Sequence, residues 1–208
     1  MSDALAQKLA QVRAPSLSDA VRKLYPHRHH VLGLVTPTPG RVLFGQAATM
    51  LFAPSRADVP KERQDFERHL RAAVGDAPRG KVLVCAAPGA EESAVAGGVR
   101  LALVEALGLA GLLTSARLRD FDEARGYAFA AYCGGETPMA GSAQSMPVAT
   151  GVPVALGGAT VLPEDYVYAS EAGAVVIPGQ DLHRVLDLAL DVEREDAARV
   201  AKARKARP

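Results

Sequence analysis

Apolar and polar positions alternate along the chain at two spacings, one helical and one extended, and the changes between them mark out the elements. Residues 4–12 read as a short amphipathic helix, and Ser16 followed by Asp19 resembles a capping box opening a second helix to about Tyr25, where Pro26 stops it. Residues 41–44 and 47–52 are strand-like and joined at Gly45. After a polar connection, Lys61, Glu62, Arg63, Asp65, Glu67 and Arg68 mark the exposed face of a helix over 60–74, with His69 on its surface. Lys81-Val-Leu-Val-Cys-Ala86 is a near-continuous apolar run after Gly80, as expected of a strand covered on both faces. A loop of small residues leads through Gly97 and Gly98 into a helix ending near Leu107, and a strand follows over 111–115. The result is a β-loop-α-β unit with a right-handed crossover. An acidic helix start over 117–123, a strand over 128–133 and a loop over 134–147 come next.

The last third predicts short strands over 153–156 and 159–162 around a turn at Gly157 and Gly158, further strands over 166–169 and 174–177, and a helix from Asp181. Arg199, Lys202, Arg204 and Lys205 fall near that helix's end, where the dipole favours cations, and a frayed tail over about 199–208 is expected. Neither a repeat nor a low-complexity linker interrupts the pattern, so the expectation is one α/β domain over 1–208.

Composition narrows the partners. Of 208 residues 49% are hydrophobic and 23% charged, with net charge +1, which suits a folded protein with a sizeable core and argues against nucleic acid as a main partner. The chain has no Trp, 5 Phe and 5 Tyr, so aromatic platforms for stacking bases are scarce. No run of about 18 apolar residues crosses a membrane, and Asp3, Gln7 and Lys8 break any signal-peptide centre; the expected location is the cytoplasm. Cys85 and Cys133 are too far apart in sequence for a metal or redox motif and read as reduced thiols. The stretch His27, Arg28, His29, His30 lacks a carboxylate at ligand spacing and reads as a solvated loop.

In α/β folds ligands gather beyond the carboxyl ends of strands, and two such ends carry unusual loops, over 86–98 and 116–123. They should be neighbours, bringing Gly97 and Gly98 to a common pocket with Arg119 and Asp120. Gly97, Gly98, Val99 and Arg100 lie at a helix start, where free N–H groups and the positive dipole end hold anions, although paired glycines more often make only a tight turn. The P-loop and dinucleotide fingerprints are not met. Arg119 offers a guanidinium to a carboxylate or enolate, and Asp120 a hard oxygen suited to Mg²⁺ or Mn²⁺. Spacing alone favours a plainer role, with Asp120 capping the next helix while Asp122 and Glu123 complement its dipole.

These residues resemble the family of the regulator of ribonuclease activity A and the class II 4-hydroxy-4-methyl-2-oxoglutarate aldolases. The resemblance runs through Ser18-Asp-Ala20, Gly45-Gln-Ala-Ala-Thr49, Gly80-Lys-Val-Leu-Val84, Ala96-Gly-Gly98, Gly108-Leu-Ala-Gly-Leu112 and, most specifically, Arg119-Asp-Phe-Asp-Glu123. It continues through Gly135-Glu-Thr-Pro138, Val154-Ala-Leu-Gly-Gly-Ala-Thr-Val161 and Ala169-Ser-Glu-Ala-Gly-Ala-Val-Val-Ile-Pro178. It implies an α/β/β/α sandwich of the swivelling β/β/α type, assembled as a homotrimer or a hexamer of two stacked trimers, with the pocket at a subunit boundary. By position it implies Gly97, Gly98, Val99, Arg100 and Arg119 for a pyruvate-like substrate, Arg119 and Asp120 as catalytic residues, and Asp120 as the ligand of a divalent metal. Glu193 or Glu195 is the candidate to reach a neighbour's site.

One departure stands out. The aldolase pattern has an Asp where this chain has Gly98, with residues 99–118 between it and Arg119; Glu91 or Glu92 is the candidate replacement, and no general base is assigned. The resemblance implies a divalent-metal-dependent lyase that cleaves a 4-hydroxy-2-oxo acid to release pyruvate, or decarboxylates oxaloacetate. The alternative is a catalytically silent member that binds a protein partner as the ribonuclease regulators do.

Overall fold

The computed structural model describes residues 3–205. In chain order it contains α1 (Asp3–Leu9), α2 (Ala14–Leu24), β1 (His30–Val31), β2 (Leu43–Pro54), a 3₁₀ turn (Lys61–Arg63), α3 (Phe66–Val74), β3 (Val82–Ala86), β4 (Ala94–Ala96), α4 (Gly98–Ala106), β5 (Gly111–Thr114) and β6 (Arg117–Leu118). There follow α5 (Phe121–Ala124), β7 (Ala130–Tyr132), β8 (Gly135–Glu136), α6 (Gly141–Gln144), β9 (Ser145–Thr150), β10 (Val154–Leu156), β11 (Ala159–Val161), β12 (Tyr166–Ser170), β13 (Gly173–Ile177), a 3₁₀ turn (Gly179–Asp181) and α7 (Leu182–Lys205).

The long strand β2 is the spine. Its first half pairs antiparallel with β12, which continues through β13 to β1, and its second half pairs parallel with β3, followed by β5 and β7, while β9 runs antiparallel along its other edge. The alternation of side chains shows how the two half-sheets stack. Val82, Val84, Leu113 and Tyr132 on one half share a core with Val167, Ala169, Ala174 and Val176 on the other, closed by the β10–β11 hairpin. Leu83, Cys85, Leu112 and Ala131 point the opposite way, under Phe66 and Leu70 of α3 and Leu101 and Val104 of α4. Tyr168, Val175 and Ile177 point outward beneath Leu17 and Val21 of α2 and Val185 and Leu186 of α7. Helices thus cover two facing β layers on both sides, the α/β/β/α order that the resemblance implies.

Several boundaries move. The two expected strands around Gly45 are one, because Gly45 permits a close crossing: a Cβ there would strike Gly80 O and lie 3.1 Å from Val82 Cγ2. Helix α2 starts two residues before Ser16, which sits inside the first turn. Its hydroxyl accepts the Arg13 N–H at 3.1 Å and donates to Arg13 O at 2.8 Å. The expected helix over 60–74 is a 3₁₀ turn and a shorter α3, whose N-cap Asp65 accepts the Arg68 N–H at 2.6 Å. The region over 134–147, read as a loop, holds β8, α6 and the start of β9. The expected histidine loop is partly wrong: His29 is buried, its Nε2 3.1 Å from Ser18 Oγ, and His30 pairs with Val175 in β1. The Gly157 and Gly158 turn is as expected, with φ of 53° and 86°, the all-positive conformation of a two-residue hairpin. Helix α7 continues through Lys205; the remainder of the expected frayed tail, 206–208, lies outside the described residues.

Candidate functional site

A second, small sheet builds the site. Strands β4, β6 and β8 pair parallel in that order, each one following its counterpart in the β3, β5, β7 series, so the three strand ends of the main sheet are continued side by side. The residues emerging from β4, β6 and β8 are Gly97, Arg119 and Thr137. The neighbouring of the loops over 86–98 and 116–123, expected from the crossover, is therefore realised, and Arg119 N–H donates to Ala96 O at 3.1 Å.

Gly97 is the N-cap of α4. Around it and Gly98 the polar groups converge. Asp120 Oδ2 accepts the Gly98 N–H at 2.9 Å and lies 3.2 Å from Arg119 Nε. Asp120 occupies left-handed space (φ 62°, ψ 45°) at the N-cap of α5 without a side-chain capping bond. That overturns the plainer expectation: the carboxylate turns back to Gly98 instead of capping its own helix, and the backbone bears roughly 1–2 kcal/mol of strain to place it there. Its side chain is 40% exposed, so it faces open space beside Arg119, Glu136, Thr137 and Pro138.

A smaller cavity of about 170 Å³ lies on the other side of Arg119, lined also by Ala94, Gly97, Val99, Arg100 and Gly141. The Arg100 guanidinium sits 4.7 Å above the Phe66 ring and donates to Val95 O at 2.6 Å, and it forms no ion pair with a carboxylate among the described residues. Burial lowers its pKa, and the charge of Arg119 adds to that. Two guanidinia therefore line one cavity, an arrangement that calls for an anion. Of the amides expected to bind substrate, that of Gly98 is already engaged by Asp120. Val99, which lines this cavity, is 81% exposed, an apolar side chain at its mouth.

The carboxylate expected from Glu91 or Glu92 comes from elsewhere. Glu92 is paired with Arg117 at 2.8 Å, and Glu91 accepts the Gly89 N–H at 3.1 Å. Glu123 fills the place instead. A Cβ at Gly98 would collide with its Oε2 and lie 2.7 Å from its Cδ and 2.8 Å from its Oε1. Tyr127 Oη fixes that carboxylate, lying 2.8 Å from Glu123 Oε1 and 3.1 Å from Gly98 O. The phenol pKa is raised, first by the hydrogen bond to Glu123 and then by burial. Sequence reading assigned Glu123 to the helix dipole. The missed signal was its i, i+3 spacing from Asp120, which puts both carboxylates on one face of a helical turn.

Among the described residues no three His, Cys, Asp or Glu side chains form a ready metal cage. The donor set nevertheless fits a hard cation. Two carboxylates meet at the Gly97, Gly98 turn, and Mg²⁺ keeps most of its waters, needing only one or two protein oxygens plus substrate. Both thiols are buried and far from thiolate chemistry, Cys85 pushed up to about 12 and Cys133 to about 11 by desolvation. No helix among the described residues is long and apolar enough to cross a membrane.

Comparison with known proteins shows what the chain resembles. The family model described as RraA-like, Aldolase/RraA, matches residues 14–176. A Halalkalibacterium halodurans protein with the provisional name 4-hydroxy-4-methyl-2-oxoglutarate aldolase is 31% identical over 127 residues, 61% of this chain and 60% of that protein's length. Streptomyces coelicolor RraAS2, described as an unusual member of the RNase ES inhibitor RraA protein family, superposes with a TM-score of 0.82 at 29% identity, over 96% of this chain and 98% of that one. An uncharacterised Pseudomonas syringae protein reaches 0.84 at 21% identity, over 100% and 92%, and shares the fold.

Proposed function

The chain belongs to the RraA-like family, and from that premise we propose that it is a divalent-metal-dependent carbon–carbon lyase, cleaving a 4-hydroxy-2-oxo acid to release pyruvate or decarboxylating oxaloacetate. The observation that carries the reading is the convergence of Asp120, Glu123 and Arg119 on Gly97 and Gly98, with Arg100 lining the same cavity as Arg119. Asp120 would hold Mg²⁺ or Mn²⁺, an ion that would supply Lewis-acid polarisation of the 2-oxo group. Arg119 and Arg100 bind the acid's carboxylate oxygens and orient the chain. Glu123, held by Tyr127, accepts the 4-hydroxyl proton as the C3–C4 bond breaks. The electron pair of that bond passes to the enolate, which Arg119 stabilises, and a proton returned to C3 gives pyruvate.

The exposed Val99 at the cavity mouth supports an assembly in which a second copy closes it, a homotrimer or a hexamer, and the buried reduced thiols suit the cytoplasm. The same exposed side chain favours a second reading, a catalytically silent regulator that docks a protein partner there. Wild-type protein assayed with Mg²⁺ and oxaloacetate, and with 4-hydroxy-4-methyl-2-oxoglutarate, separates the two. The enzyme gives pyruvate above the metal-only rate, and Asp120→Ala abolishes it while the circular dichroism spectrum stays intact. Turnover unchanged in Asp120→Ala overturns the assignment, and wild-type turnover no faster than metal alone leaves the binding role.

A further inference from the structure

A second set of guanidinia lies on a different part of the surface. Helix α3 packs along β9, and beside them is a cavity of about 380 Å³ lined by Arg63 of the 3₁₀ turn, by Arg68, His69 and Ala72 of α3 and by Val148 and Thr150 of the strand. Its charges are one-sided. Arg56 and Arg71 on the same stretch each satisfy a carboxylate, Arg56 through two bonds to Asp58 at 2.9 and 2.6 Å and Arg71 through two to Glu67 at 2.9 and 2.7 Å. Arg63 and Arg68 have no side-chain hydrogen bond or ion pair among the described residues. The nearby acid Asp65 is engaged with the helix, its Oδ1 accepting the Arg68 N–H at 2.6 Å, and no carboxylate lines the cavity. His69 is oriented by donating Nδ1–H to Asp65 O at 2.8 Å, and Thr150 brings a hydroxyl from the opposite wall.

We propose that this α3–β9 cavity is a binding site for a phosphate monoester, with the phosphoryl group held between Arg63 and Arg68. Charge and geometry favour phosphoryl over carboxylate. Two guanidinia carry two positive charges, a phosphate monoester brings about −1.5 to −2 at pH 7 with three acceptor oxygens, and the planar fork of Arg matches that geometry. The remainder of the ligand is small and not a nucleobase, since among the described residues the only ring in the lining is the imidazole of His69 and the strand wall offers Val148, Ala149 and Thr150. The near-neutral charge of the whole chain is no obstacle, because recognition rests on two local charges, and Asp65 at the helix cap and Glu67 paired with Arg71 lie outside the lining.

Titrating the full chain with inorganic phosphate, glycerol 3-phosphate and acetate, followed by amide chemical shifts and calorimetry, tests this. The expected result is saturable binding of both phosphates, shifts centred on residues 63–72 and 148–150, and at least a tenfold weaker response to acetate. The Arg63→Gln/Arg68→Gln double variant, altered only at exposed side chains, weakens phosphate binding at least tenfold with an unchanged melting temperature. Arg119→Gln leaves it untouched, which keeps this site separate from the proposed lyase centre. No saturable phosphate binding, shifts centred on residues 96–120, indifference to the double variant, or equal response to acetate overturns the proposal.

Discussion

Replacing Gly98 by Ala separates what Gly98 does for the fold from what it does for the site. The added methyl meets the end of a flexible chain, the Glu123 carboxylate, and not backbone. Glu123 is an exposed residue and can swing to solvent, so the collision is relieved cheaply. Against the loss of its hydrogen bond to Tyr127, worth under about 1 kcal/mol at an exposed position, stands a gain of up to about 1 kcal/mol for Ala over Gly in a helix. The net stability change is therefore within about 1 kcal/mol, or roughly 2–4 °C in melting temperature for a chain of this size. Activity responds differently. If Glu123 moves the substrate proton, displacing it costs on the order of 10²–10⁴ in rate. Pyruvate release in Mg²⁺, coupled to NADH oxidation by lactate dehydrogenase, measures the rate, and thermal melts measure the fold. Glu123→Gln should lose a similar amount, and the Gly98→Ala/Glu123→Gln double variant should lose no more than either single one, because both remove the same group. Full activity in a folded Gly98→Ala protein, or additive losses in the double variant, refutes the role given to Glu123. Destabilisation beyond about 2 kcal/mol refutes the claim that only a flexible side chain fills that space.

Three further outcomes follow from the same structure. Gly45→Ala forces a Cβ onto the Gly80 backbone carbonyl, which cannot swing away, and should cost about 1–3 kcal/mol in chemical denaturation; a smaller change shows the crossing to be loose. The Tyr127 phenol should titrate above its ordinary value and fall back towards it in Glu123→Gln, read as the ultraviolet difference between proteins with Tyr127 and with Tyr127→Phe. A phenol whose pKa is raised on folding favours the folded state below its unfolded value and loses that contribution as pH rises through the folded value, so alkaline unfolding of Tyr127→Phe should be the less steep. Cys85 and Cys133, with pKa values of about 12 and about 11, should be silent to a thiol reagent at pH 8 in the native protein and react fully once it is denatured; labelling of the native protein would contradict their burial.

The sequence announced whatever its local chemistry determines. The apolar run of β3, the two-glycine hairpin between β10 and β11 and the parallel pairing of β3 with β5 across α4 are each set by periodicity and turn residues, and all three stand. What it hid is tertiary. The strands β4, β6 and β8 are two or three residues long, and nothing but lateral pairing makes them strands. β2 reads as two pieces because Gly45 looks like a breaker until Gly80 is seen against it, and β9 was concealed by Pro147. In the site, the meeting of Gly98 with Asp120 was legible from topology. The left-handed turn that aims Asp120 was not, nor was the exchange of a carboxylate at position 98 for one arriving from α5.

That β2 runs unbroken through both halves governs how the molecule comes apart. Neither half-sheet can peel away alone, since unravelling one strips a neighbour from the other, and hydrogen exchange of the innermost amides of β2, β3 and β12 should share a single opening energy. For protein engineering, this makes the interior of β2 the worst place to reopen the chain by circular permutation, and the β10–β11 hairpin tip, which joins only its own two strands, among the safest.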